Sequence, residues 1–297
     1  MRAYYSDSFV LPLPPGHRFP MEKYARLRSR VLAELPPGAV QLELAPAASD
    51  VDILRVHAPA WLQAVSAGTL SAQQQREIGF PWSLQMAERS RRSAGATIGA
   101  CLAAIEDGTG VNLAGGTHHA FRDRGAGYCV FNDAAIAAAA MQAARPGLRV
   151  LVVDCDVHQG DGTASILSGD DSVFTFSIHG RNNYPFVKQA SDLDIELDDG
   201  TGDTEYLDQL DRGLDHAFAA ARAGLVVYLA GADPYEGDRL GRLSLSRAGL
   251  AARDSLVFGR CARAGLPVAA CMAGGYARDI EDTVDIHLQT VRIAAGC

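Results

Sequence analysis

The 297-residue sequence predicts an α/β fold of three layers, with a mostly parallel central sheet between two layers of helices. Three observations carry the prediction. Short, continuously apolar runs recur along the chain, as in strands buried on both faces. Longer segments with helix caps alternate with them. No Pro-rich or polar stretch is long enough to part the chain, so residues 1–297 read as one domain. With 48% hydrophobic residues, the chain can bury the large core such a sheet requires.

In order, the first predicted strand is Arg2–Tyr5, followed by the Pro-rich loop Leu11–Gly16 and a second strand at Val40–Leu44. Ser83–Glu106, long and Ala-rich, is a helix leading to the strand Val111–Leu113. Asn132–Ala144 starts at an Asn-Asp cap and stops before Pro146-Gly147, as a helix does. Arg149–Asp154, Val173–Ile178, Leu225–Ala230 and Val268–Met272 are short apolar runs expected of central parallel strands. Arg181–Leu193 reads as a loop. Two helices separate the later strands: Asp203–Ala223, ended by Gly224, and Ser246–Ala264, bounded by Ser246 and Gly265.

A net charge of -8 argues against the broad basic footprint of a nucleic-acid binder, and an acidic rim would favour a cationic substrate. No run reaches the roughly 18 apolar residues of a membrane span, and Met1–Val10 lacks the pattern of a secretory signal, so a cytoplasmic protein is expected. The six cysteines show no CxxC spacing and read as reduced thiols, with Cys155 and Cys271 buried in strands.

The chemistry is concentrated where strands end. Val150–Gly162 reads VLVVDCDVHQGDG, a buried-type strand running into Asp154, Asp156, His158 and Asp161. Side chains two apart on an extended backbone share a face, so Asp154, Asp156 and His158 can converge on one cation. A lone acid after a strand ordinarily caps the next helix. Three alternating potential ligands followed by a Gly-bearing turn fit the crevice that open sheets form at their carboxyl edge. Imidazole with carboxylates suits zinc or iron, whereas oxygen ligands alone suit magnesium or calcium.

Leu113–Asp133 places His118 and His119 after Gly115-Gly116, and adjacent imidazoles oriented by different carboxylates can pass protons. Gly125, Gly127 and Tyr128 downstream make a low-bulk loop with one aromatic wall, suited to an extended aliphatic chain. Asp233 at the end of Leu225–Ala230 offers the missing carboxylate ligand; Asp238 competes but lies further into the loop. The strand Val268–Met272 ends in Gly274-Gly275-Tyr276, where a phenol can donate to an oxygen that gains charge.

Taken together, GTHHAFRDRGAGYCVFNDAA, VLVVDCDVHQGDGT, FTFSIHG, AGADPYEGDRLGRLSLS and AGGY resemble, in order and spacing, the zinc-dependent histone deacetylase family, which shares its sheet architecture with arginase. Gln159, Asn183-Tyr184-Pro185, EGDRLGRLSLS and His17-Arg18-Phe19-Pro20 look most like the class IV branch and its bacterial relatives. The resemblance implies one catalytic domain with a zinc ion, or ferrous iron, on Asp156, His158 and Asp233. It implies His119 as general base and then acid, His118 as its electrostatic partner, Asp154 and Asp161 as their orienters, and Tyr276 as donor to the substrate carbonyl. Gly127, Tyr128 and Gly275 would line an acyl-lysine tunnel. A structural potassium ion is implied on Asp154, Asp156, His158, Ser177 and Ile178.

The implied substrate is an acyl-lysine protein or peptide, or alternatively a small acylated amine such as an acetylpolyamine. Charge and the lack of a long apolar run lead to the expectation of no direct nucleic-acid partner and no membrane. An arginase-like guanidine hydrolase is disfavoured, because a second set of acids for a two-metal site is missing. Two residues depart from the family pattern. Gln159 replaces the second histidine of a more familiar pair, and Thr117 stands where some relatives carry a bulkier side chain, which points to acyl groups longer than acetyl.

Overall fold

The computed structural model describes all 297 residues as one eight-stranded sheet with helices on both faces. Its strands are β1 (Arg2–Tyr5), β2 (Gln41–Leu44), β3 (Thr109–Asn112), β4 (Val150–Asp154), β5 (Val173–Gly180), β6 (Leu193–Leu197), β7 (Leu225–Leu229) and β8 (Val268–Cys271). They lie in the order β2-β1-β3-β8-β7-β4-β5-β6, and every pairing is parallel.

Alternation along the strands splits the core in two. On β4, Val150 and Val152 join one apolar layer, and Leu151 and Val153 join the other. The first layer is closed by α2 (Asp50–Leu54), α3 (Pro59–Ala67), α4 (Ala72–Ile78), α5 (Leu84–Asp107) and α6 (Asp133–Ala144). The second is closed by α1 (Lys23–Glu34), α8 (Asp203–Ala221), α9 (Arg247–Ala264) and α10 (Ile280–Ala295). The short helix α7 (Asp161–Leu167) follows β4. No helix is long and apolar enough to cross a membrane.

The capped helices lie where their caps put them. Ser83, Asn132 and Ser246 each accept a backbone N–H from the first turn of α5, α6 and α9, and Gly265 closes α9 in the left-handed region. The helix expected to reach Ala223 ends earlier: Arg222 turns left-handed at φ 47°, and the Gly224 amide donates instead to the Arg149 carbonyl at 2.8 Å. The Arg181–Leu193 loop closes on an additional strand, β6. Its LDIEL sequence carries two acids because it is an edge strand, paired only with β5. Asp161, read as part of a turn, is the first residue of α7.

Four neighbouring strands, β3, β8, β7 and β4, end level with one another, with Asn112, Cys271 and Leu229 in one row and Asp154 beside Leu229. The residues with chemistry to perform hang from these ends. All cysteines but Cys297 are buried and free.

Candidate active site

Asp156, His158 and Asp233 come together beyond β4 and β7, each buried, with one ligand atom apiece within 4.8 Å of the others. His158 Nδ1 lies 2.9 Å from Asp156 Oδ1 and 3.2 Å from Asp233 Oδ2. The outer carboxylate oxygens are tied back: Asp156 Oδ2 accepts from the Gly274 amide at 2.7 Å, and Asp233 Oδ1 from Val157 at 2.9 Å. Asp233 Oδ2 is buried and has no partner beyond the 3.2 Å approach of His158 Nδ1. An ionised oxygen left this way is costly unless a cation faces it, so the donor set fits a divalent metal of borderline softness, zinc or ferrous iron. Gly274 makes the closeness possible, since a Cβ there would stand 1.9 Å from Asp233 Oδ2.

Charge in this cluster follows burial and pairing. Burial opposes protonation of His158, but hydrogen bonds with Asp156 and Asp233 lift it to about 10. Burial and the Asp156 charge push Asp233 up to about 7. Asp156 also suffers from burial, yet the charges of His118 and His158 hold it below the ordinary carboxylate range. The protein by itself therefore keeps a proton on His158 at neutral pH.

The two histidines after β3 have parallel supports and opposite states. His118 Nδ1 is 2.6 Å from Asp154 Oδ2, and His119 Nδ1 is 2.7 Å from Asp161 Oδ1, with the rings 4.2 Å apart. Burial disfavours charge on His118, but Asp154 and Asp156 raise it to about 9. Burial and the neighbouring His118 charge lower His119 to about 4, against the pull of Asp161. At neutral pH His118 is a cation and His119 a base. Because Asp161 accepts from Nδ1–H of His119, the lone pair lies on Nε2.

The loop that carries them is clamped by α6. Gly115 and Gly116 adopt φ of 82° and 71°, and Asp133 accepts the amides of Gly116 and Thr117 at 3.0 and 2.7 Å. Asn132 donates to the carbonyls of His118 and Ala120 at 3.3 and 3.1 Å while also capping α6. In the sequence Asn132-Asp133 shows only as a cap.

Tyr276 follows β8, and burial together with the carboxylates of Asp233 and Asp156 keeps its phenol protonated well past its usual range. Its amide donates to Asp238 Oδ2 at 2.6 Å, while Asp238 Oδ1 accepts from Leu240 and Gly241 at 2.7 and 3.0 Å. Asp238 is thus a brace for Tyr276 and is not part of the metal cluster. Gly275 lies behind the tyrosine, not on the pocket wall: its carbonyl accepts from Lys23 Nζ at 3.3 Å, and a Cβ there would meet Thr283 at 2.6 Å.

A pocket of about 380 Å³ opens onto these groups, walled by Gly127, Tyr128, Tyr184 and Tyr276 with His119 and His158 at its base. Tyr128 is held at φ 67°, its amide donating to the Ile78 carbonyl at 2.7 Å, a strained conformation worth about 1–3 kcal/mol that turns the ring inward. Tyr184 stands edge-on to His119 at 4.9 Å, a wall residue the sequence reading used only as a family mark. Gly127 is there because a Cβ would strike the His119 ring at 2.6 Å. Gln159 points elsewhere, donating to the Gln189 carbonyl at 2.6 Å and Asp194 at 2.9 Å to fix the approach to β6. Asp154 and Ser177 are register partners on β4 and β5, with Ile178 next along the strand.

Known proteins resemble this chain in sequence and in fold. A histone deacetylase domain profile matches residues 17–291. An uncharacterized protein of Picosynechococcus sp. is 42% identical over 95% of this chain and 94% of its own length. Histone deacetylase 2 of Arabidopsis thaliana is 32% identical over 80% of this chain and 65% of its own length. The histone deacetylase-like amidohydrolase of Pseudomonas aeruginosa is 31% identical over 89% and 74%. Among solved structures, an HDAC homolog complexed with SAHA superposes with a TM-score of 0.86 at 20% identity, covering 100% of this chain and 84% of that one. The sequence matches over nearly the whole length, together with the shared fold, make this chain a member of the histone deacetylase family.

Proposed function

We propose that the chain is a metal-dependent amidohydrolase that removes acyl groups from the ε-amine of lysine in a polypeptide. The observation that carries the reading is the split histidine pair, a fixed base beside a fixed cation, opening on the Asp156–His158–Asp233 cluster in one pocket. A zinc ion on that cluster supplies Lewis acidity, polarising the amide carbonyl and drawing the pKa of water down from 15.7 toward about 7.

The side chains do the rest. His119 Nε2 takes a proton from the attacking water and returns it to the leaving amine as the C–N bond breaks; the remaining water proton then passes from the new carboxylic acid to the amine, so the products are a carboxylate and a protonated amine. His118 stays charged throughout and stabilises the negative charge that develops. The Tyr276 hydroxyl donates to the former carbonyl oxygen, and removing such a donor typically costs 10²–10³ in rate. Tyr128 and Tyr184 flank the lysine methylenes and exclude water.

Acyl groups beyond acetyl belong to the same reading. Thr117 lines both the small cavity at the metal cluster and a second cavity of about 50 Å³ bounded by Phe80, Met86, Val130 and Phe131. A bulkier side chain at Thr117 would fill the junction. A potassium ion on Asp154, Ser177 and the adjoining carbonyls completes the proposal and would steady His118 through Asp154.

The test is a panel of acyl-lysine peptides and acetylated polyamines, varied in acyl length and assayed with the zinc-loaded, the iron-loaded and the chelated protein. Metal-dependent release of a carboxylic acid from the peptides is expected, with octanoyl- or myristoyl-lysine turned over at least as well as acetyl-lysine. Turnover confined to the polyamines would overturn the substrate assignment. Octanoyl and myristoyl turnover far below acetyl would overturn the acyl-length assignment.

A further inference from the structure

Arg253 sits on α9 with none of its surface exposed. A buried guanidinium is expensive, so its partners show its purpose; Nη2 makes no hydrogen bond and only faces Asp254 Oδ1 at 2.8 Å. Nε donates to Asp254 Oδ1 at 2.9 Å. Nη1 donates to two backbone carbonyls, Gly231 at 2.5 Å and Cys155 at 3.3 Å. Asp254 is fixed in turn by the hydroxyls of Tyr228 and Thr290, each donating at 2.5 Å.

The two carbonyls belong to different parts of the site. Cys155 immediately precedes Asp156, and Gly231 lies two residues before Asp233. They emerge from β4 and β7, which are paired up to Asp154 and Leu229. Beyond that point the two segments are joined to each other by Cys155 N to Leu229 O at 3.0 Å and by Val157 N to Asp233 Oδ1 at 2.9 Å. The planar Arg253 guanidinium adds a further tie between the two segments that carry the carboxylates, gripping the backbone of both from behind the site.

We infer that Arg253 is a positioning residue for the metal site: it sets the separation of Asp156 and Asp233 by holding the backbone of both, and Asp254 sets the guanidinium. The inference rests on Asp156, His158 and Asp233 being metal ligands. A lysine cannot reproduce the role, because a single ammonium lacks the rigid fork needed to hold Asp254 and both carbonyls in one geometry.

Arg253→Lys and Arg253→Met, measured for zinc affinity by competition with a chromophoric chelator and for kcat and KM separately, test it. Zinc affinity is expected to weaken about 10–100-fold in the methionine variant, less in the lysine variant, with kcat falling and KM nearly unchanged. A variant that melts earlier without metal yet binds zinc with the parent's affinity makes Arg253 a residue of general stability and overturns the assignment. Should neither variant fold, the double variant Tyr228→Phe/Thr290→Val frees Asp254 while leaving the ion pair, and unchanged zinc affinity there has the same meaning. Zinc affinity is read without substrate. Unchanged affinity therefore sinks the role of Arg253 alone, whereas a parent that binds zinc but hydrolyses no acyl-lysine sinks only the proposed function.

Discussion

His118 and His119 are consecutive, equally buried and opposite in protonation, and the difference comes from their partners. His118 feels two carboxylates, Asp154 and Asp156, while His119 feels one carboxylate and the charge of its neighbour. His119→Ala should therefore lose about 10²–10⁴ in kcat while zinc content, read by elemental analysis, stays at the parent level. Undiminished turnover would remove His119 from the reaction. Tyr276→Phe keeps the ring and deletes only the donor; a fall of about 10²–10³ in kcat is expected, with zinc affinity unaltered. At this scale the sequence was partly readable. Alternation on an extended strand brings out Asp154, Asp156 and His158, but it cannot tell that Asp154 faces His118 while the other two face Asp233. That sorting depends on which strand lies beside β4, a long-range fact. Asp238 and Tyr184 were hidden for the same reason, since each acts on a partner distant in sequence.

Among the elements, loops after strands carry the reaction and helix ends hold those loops still. The Asp238 carboxylate satisfies three amides, of Leu240, Gly241 and Tyr276. Asp238→Ala leaves these donors unpaired, at roughly 1–3 kcal/mol for each one that stays buried, so both Tm and kcat should fall. A variant with the parent's kcat would show that Tyr276 needs no brace. Elements with strong local signals were legible. The central strands β4, β7 and β8 are almost wholly apolar, and Ser83, Asn132 and Ser246 mark helix starts to the residue. The edge strand β6 was not, because LDIEL alternates with acids and has no buried second face. Helices α1 and α10 also escaped; they are amphipathic and charged, and their apolar stripes gain meaning only against the second core layer.

For the whole molecule, metal, protons and folding are linked. His158 holds a proton up to about 10 and Asp233 up to about 7, and both must be bare to bind a cation. Metal binding at pH 7 should thus release protons, and affinity should fall as pH drops. Calorimetry in buffers of different ionisation enthalpy measures the release; pH-independent binding would contradict it. Chelation should lower Tm, since a ligand at a hundredfold excess over its Kd contributes about 2.7 kcal/mol. The strand order has a consequence for the sheet as a whole. β7 and β8, late in sequence, lie between β3 and β4, so without them the native pairings reduce to two separate three-stranded groups, β2-β1-β3 and β4-β5-β6. Their outer edges are guarded by Glu43 on β2 and by Asp194 and Glu196 on β6, but the inner edges expose uncharged β3 and the wholly apolar start of β4. The segment after Ala221 therefore does two things at once in the native sheet: it covers both inner edges and carries Asp233 and Tyr276 to the site.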